Sequence, residues 1–205
     1  MSRRAGVIGD DPDEAELDRV LWRVWRAVEL PEGYRAEIIE GALEVQRIGR
    51  VRHAGIVNRL RRALSESEMG DESGAFQGLA VVHRRSVWIP DLVIARLDAG
   101  ADSEDIGVLA SAVHLVAEVV SRGERHQDRD RVKKRRAYAR ADIPVYVIID
   151  DYDGQGSVTV LTDPRPDKAD WGGIHRVPYG TDITIPKGPA KGFVIGEAIT
   201  GPKRA

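Results

Sequence analysis

The chain has 205 residues, 42% apolar and 31% charged, and 31 basic against 33 acidic side chains give a net charge of −2. That composition excludes a wholly disordered chain and suits one soluble core. The absence of Cys excludes disulfide scaffolds, thiolate zinc sites and cysteine nucleophiles, and makes a reducing, cytoplasmic setting the expected one.

In chain order, Asp11-Pro12-Asp13-Glu14 supplies an N-cap, a proline at the first helical position and a capping-box acid. Leu17, Val20, Leu21, Val24 and Val28 follow at helical spacing, so the fold is expected to start with an amphipathic helix. The polar, acidic run from Gly6 to Asp13 lacks the hydrophobic core of an export signal, and export is not expected. Tyr34, Ala36 and Ile38, then Leu43 and Val45, alternate around Glu40-Gly41 and predict a hairpin with a two-residue turn. His53, Ile56, Val57, Leu60 and Leu64 make a second helical stripe, expected to run to Met69. Phe76–His83 and Ser86–Arg96 read as strands separated by Arg84-Arg85.

Val113–Val120 is an apolar run broken only by His114 and Glu118, the pattern of a strand buried on both faces. With its flank from Gly107 it spans fourteen residues, short of the ~20 needed to cross a bilayer, so no membrane partner is expected. Arg125–Ala141 predicts a charged helix and Pro144–Ile149 another buried strand. Short alternating pieces at Ser157–Leu161, Ile174–Val177 and Asp182–Ile185 read as peripheral antiparallel strands, with a loosely packed tail from Pro186. The expected organisation is an extension with an amphipathic helix over 1–30, one mixed α/β domain over 31–186 and a tail over 187–205.

The chemistry-bearing residues stand out against these elements. A carboxylate at Glu118, inside Leu115–Val120, loses solvation worth several kcal/mol unless a cation or donors compensate. It either pairs structurally with an arginine such as Arg122 or Arg125, or ligates a metal. Asp91, after Pro90, is a second acid embedded in an apolar run; Pro-Asp alone commonly just begins a turn or strand. Two such acids on neighbouring strands repel unless a divalent cation lies between them, and hard oxygen ligands select Mg²⁺ or Mn²⁺ over zinc.

Residues 122–140 hold nine Lys or Arg against three acids. Asp130, Lys134, Tyr138 and Ala141 share one helical face, whereas Lys133 is turned away by about 100°. Lys134 is therefore expected inside, where an ammonium can orient water and neutralise charge on a phosphate, while most of the other basic residues suit a solvated face. His53 lies on an apolar stripe and suits either an interior role or support for the acids. Trp22, Trp25, Trp88 and Trp171 are not interleaved with basic runs, and packing is their expected role.

Taken in order, these residues resemble a known family. Asp91 after Pro90, Ala117-Glu118-Val119-Val120-Ser121, and Asp130-x-x-x-Lys134-x-x-x-Tyr138-Ala139-Arg140-Ala141-x-Ile143-Pro144-x-Tyr146-x-Ile148-x-Asp150 are similar to the bacterial Uma-type restriction-endonuclease family of the PD-(D/E)xK superfamily. Tyr34-x-x-Glu37-Ile38-Ile39-Glu40-Gly41-x-Leu43 and His53 extend the similarity to about Tyr34–Asp151. The resemblance implies an α/β, restriction-endonuclease-like core of helix, three strands, helix and strand, here with an N-terminal helix and hairpin and extra C-terminal antiparallel strands. It implies a Mg²⁺- or Mn²⁺-dependent endonuclease acting on DNA, with Asp91, Glu118 and the main-chain carbonyl of Val119 as metal ligands and Lys134 as a further catalytic group. Glu37 matches an acid of the family that completes the shell through metal or water; as an edge-strand residue it equally suits a solvent-facing role. A homodimer is an expected partner on the same grounds. The superfamily's strand lysine, two residues after the second acid, is replaced by Val120, so Lys134 has to supply it from the following helix. A nuclease-fold module that binds nucleic acid or serves a regulatory or structural role without cutting is the alternative.

Overall fold

The computed structural model of the chain describes residues 12–47, 49, 51–67, 69–100, 102 and 105–203; the expected N-cap at Asp11 lies outside them. The architecture is mixed α/β. Helix α1 (Pro12–Ala27) leads to the hairpin β1 (Tyr34–Ile39) and β2 (Ala42–Arg47), then α2 (Val51–Ser65). The hairpin turns on Glu40 and Gly41 at φ of 49° and 72°, the positive pair that a two-residue turn matched to strand twist requires. Helix α2 stops at Ser65, short of Met69.

Each of the two long strands expected before residue 96 is divided. The first becomes β3 (Ser73–Phe76) and β4 (Val81–His83), the second β5 (Ser86–Trp88) and β6 (Leu92–Arg96). Pro90 lacks an N–H for a ladder bond, and the chain passes there from one sheet to the other. Strands β1, β2, β4 and β5 form one sheet with β7 (Val108–Leu109), in the order β2-β1-β5-β4-β7. The second sheet has β8 (Val113–Val119), β9 (Val145–Asp150), β10 (Ser157–Arg165) and β11 (Asp170–Pro178), in the order β11-β10-β9-β8-β6-β3. Its centre is the parallel pair β8–β9, consistent with the continuous apolar runs of both strands.

One face of this six-stranded sheet packs against Ile56, Val57, Leu60 and Leu64 of α2. The tail packs there too: Ala190, Ile195 and Ile199 are 4%, 2% and 3% exposed, which corrects the expectation of a loose end. The other face packs against Tyr138 of the long helical segment and against Ile39, Val81 and Trp88 of the smaller sheet. That segment comprises α3 (Glu124–Asp128), a wide turn of five-residue hydrogen-bond spacing (Arg129–Lys133) and α4 (Lys134–Arg140). Among the described residues, no helix is long and apolar enough to cross a membrane.

Candidate active site

The register Leu92↔Ala117 between β6 and β8 brings Asp91, the residue before Leu92, alongside the carboxyl end of β8. Its Oδ2 accepts from the Val119 N–H at 2.8 Å and lies 3.0 Å from His53 Nε2, while Oδ1 is 3.4 Å from Arg35 Nη2. Burial pushes the Asp91 carboxyl up, but the His53 hydrogen bond, the charges of His53 and Arg35 and the Val119 N–H hold it below the ordinary range. His53 is raised in turn: desolvation lowers it, but the hydrogen bond to Asp91 and the charges of Asp91 and Glu118 together outweigh that. Thus the stripe histidine supports the first acid. Gly49 leaves room for it: a Cβ there would fall 2.2 Å from His53 Nδ1.

Glu118 shares its face of β8 with Val116 and Val120, towards α4, and is 1% exposed. Its Oε1 accepts from Lys134 Nζ at 2.7 Å and from the Tyr138 hydroxyl at 2.6 Å. Its cation is therefore Lys134 and not Arg122; the side chain of Arg125, the other expected partner, lies outside those described. Oε2, also buried, has no hydrogen-bond partner among the described residues. Burial, together with the charges of Asp91, Asp130 and Glu37, outweighs Lys134 and pushes Glu118 up to about 7.

Lys134 is 0% exposed and binds two carboxylates, Glu118 and, at 2.9 Å, Glu37. Their charges outweigh desolvation and raise it, so it stays an ammonium at neutral pH. One cation shared by two acids explains why Glu118 is nonetheless undercompensated. Lys133 instead meets Glu44 at 2.6 Å and is partly exposed. Glu37 is fully buried, not a solvent-facing edge residue. Its Oε1 also accepts from the Ile89 N–H at 2.6 Å, and its Oε2 accepts from Gln46. Beneath it, Arg129 grips Asp130 bidentately at 2.8 and 3.0 Å, and the Tyr146 hydroxyl donates to the Asp130 carbonyl at 2.8 Å inside the wide turn. Tyr138 packs edge-on between Trp88 and Tyr146, with centroids 5.2 and 4.9 Å apart, which fixes its hydroxyl on Glu118.

Sequence reasoning missed Arg35, Gln46 and Gly49. Arg35 stands two residues before Glu37 and thus on its face, the one available signal. The four tryptophans pack as expected, with Trp25 donating to the Ala36 carbonyl and Trp171 to that of Arg135, each at 2.9 Å.

The Uma2 family, described as "Putative restriction endonuclease", matches residues 24–175. The chain belongs to this family. A solved structure described as a "putative nuclease belonging to DUF820", from Anabaena variabilis ATCC 29413, resembles this Uma2 chain with a TM-score of 0.66. Identity is 13% over 90% of this chain and 96% of that one, so the likeness shows the fold, a restriction-endonuclease-like one. No curated protein matches the chain.

Among the described residues, no three His, Asp or Glu side chains gather into a ready-made metal cage. The fit of a hard cation rests on the donor set itself. Glu118 offers a buried carboxylate oxygen with no partner, and Asp91 offers Oδ1, held by one long contact only. Together with a main-chain carbonyl these are oxygen ligands suited to Mg²⁺ or Mn²⁺. A pocket of about 390 Å³, lined by Arg47, Arg52, Ser121, Arg122 and Asp151, reaches Asp91 through His53 and Val119, which line it and bond that carboxylate. The rest of the basic strip is largely neutralised: Arg131 pairs with Asp150, Arg135 with Asp170, and Arg136 and Arg140 with Glu40.

Proposed function

We propose that this Uma2 chain is a Mg²⁺- or Mn²⁺-dependent endonuclease that hydrolyses DNA phosphodiester bonds. What supports this reading is the buried, undercompensated Glu118 with a free oxygen, bonded to Lys134 and near enough to Asp91 for that charge to act on it. A structural ion pair has no use for an unsatisfied acceptor, which costs about 1–3 kcal/mol. Asp91, Glu118 and the Val119 carbonyl would hold the cation, which when bound polarises the phosphate and lowers the pKa of water. Lys134 neutralises charge developing on the phosphoryl group, and Glu37 with Gln46 holds that lysine in place. Tyr138 orients Glu118 through Oε1 and so keeps Oε2 available. His53 and the Val119 N–H restrain Asp91 through Oδ2 and leave Oδ1 to the cation. Arg47 and Arg122 around the mouth meet the strand's phosphates.

Nicking of supercoiled plasmid tests this directly. Cutting is expected with Mg²⁺ or Mn²⁺, none with EDTA, and none with Glu118→Gln. Duplex binding by the parent without any cutting would move the conclusion to a non-cutting binding module. A homodimer is the form proposed for cutting both strands, and light scattering with and without DNA measures it.

A further inference from the structure

Arg35 reaches the site from β1, close enough to Asp91, Glu37 and Glu118 for all three charges to act on it. Yet its one ion pair among the described residues is the 3.4 Å contact to Asp91 Oδ1, longer than the 2.7–2.9 Å of a charge-assisted bond. Its Nε–H is buried without a partner. Arg129 shows what a satisfied guanidinium looks like here, with its bidentate grip on Asp130. Arg131 also leaves one Nη2 unused, but its Nε and Nη1 are bonded at 2.6 and 3.0 Å to Asp150 and Gln127.

The site thus holds an orphaned donor on Arg35 and an orphaned acceptor on Glu118 that do not bond each other. A ligand of both signs satisfies the two at once: a cation against the carboxylate and anionic oxygens against the guanidinium. Resting on the nuclease reading above, we propose that Arg35 is a further catalytic residue. It donates to a non-bridging oxygen of the scissile phosphodiester and releases its long contact to Asp91 as the cation arrives. In the hydrolysis a water oxygen bonds to phosphorus and loses a proton to solvent. The bond to the leaving oxygen breaks with its electron pair, and that oxygen takes up a proton. Arg35 stays protonated throughout and stabilises the equatorial charge.

The test uses the full chain and the variants Arg35→Gln and Arg35→Lys. Four readouts are compared: plasmid nicking resolved into kcat and KM, Mn²⁺ calorimetry, binding of a labelled duplex in Ca²⁺, and thermal melting. For R35Q, kcat is expected to fall about 100-fold or more, as for loss of one preorganised donor to a transition-state oxyanion. Duplex binding in Ca²⁺ weakens, Mn²⁺ affinity is unchanged or tighter because a cation beside Asp91 is gone, and added methylguanidinium restores part of the rate. R35K, which keeps the charge without the fork, loses roughly 10-fold. If the parent cuts and R35Q cuts within threefold of it, the inference fails while the nuclease reading stands. Loss of Mn²⁺ binding in folded R35Q makes Arg35 a structural residue and overturns the proposal. A parent that neither cuts nor binds the duplex overturns both readings. Should R35Q not fold, R35K decides: parental kcat in a folded R35K overturns the role, and a tenfold loss with Mn²⁺ binding intact supports it.

Discussion

Two pairs of buried acids end adjacent elements of this sheet, and the protein treats them differently. At the end of β9, all four carboxylate oxygens are matched from within the chain. Asp150 accepts from Arg131 at 2.6 Å and the Tyr152 N–H at 2.9 Å, and Asp151 from Arg52 at 2.6 Å and the Tyr179 hydroxyl at 2.8 Å. At the end of β8, Glu118 has one matched oxygen and one empty one, and Asp91 one firmly held oxygen and one barely held. All four side chains are buried, so the difference lies in what completes the shell. The first pair is finished by protein and reads as structure; the second is finished only by something that arrives.

That contrast can be broken by substitution. The largest effect is expected at Glu118: Glu118→Gln should reduce cutting at least ~1,000-fold while leaving the thermal midpoint equal or higher, since an undercompensated charge is removed. Lys134→Ala follows, with a loss of ~100-fold or more in kcat and about 3 kcal/mol in stability, because Glu118 and Glu37 are left facing each other. Next comes the pH dependence of the cation-free protein. The folded form holds the Glu118 proton more tightly than the unfolded chain, so stability from this group is full below about 4.5 and declines as pH climbs to about 7. At ~1.4 kcal/mol per unit the part due to Glu118 is about 3 kcal/mol, and that part should be missing in E118Q melts, leaving the shallower slope of His53 and Asp130, which are raised as well. Asp91, lowered, is ionised in both states there and adds no slope. In the β9 pair the order of effects reverses. Asp151→Asn should cost about 2 kcal/mol in chemical denaturation yet leave kcat within threefold. A large kcat loss there would erase the distinction between the pairs. The smallest effect belongs to Lys133→Ala, under 1 kcal/mol and no change in cutting, since its partly exposed pair with Glu44 contributes little.

Much of this was legible in the residues because burial leaves a pattern. An unbroken apolar run identified β8 and made Glu118 conspicuous, and helical spacing put Asp130, Lys134 and Tyr138 inside and Lys133 outside. What stayed hidden depends on partners far along the chain. Alternation identifies extended backbone but not which sheet it joins, so the crossing at Pro90 went unseen. The residues alone leave Glu37 equally a site acid or an edge acid until Lys134 and Gln46 close over it, and Arg35 cannot be told from any surface arginine before Asp91 is opposite. The tail's spaced apolar residues carry too weak a period to announce that they cap α2.

The wide turn at Arg129–Lys133 sets how this segment can change over time. Each residue of an ordinary helix carries about 100° of rotation. Dropping or adding one residue between Glu124 and Lys134 would swing either the Arg129–Asp130 clasp or the Lys134–Tyr138 pair out of the interior, never leaving both in register. Drift here is restricted to exchange of side chains at constant length, and homologues that keep the buried lysine should keep the residue count as well.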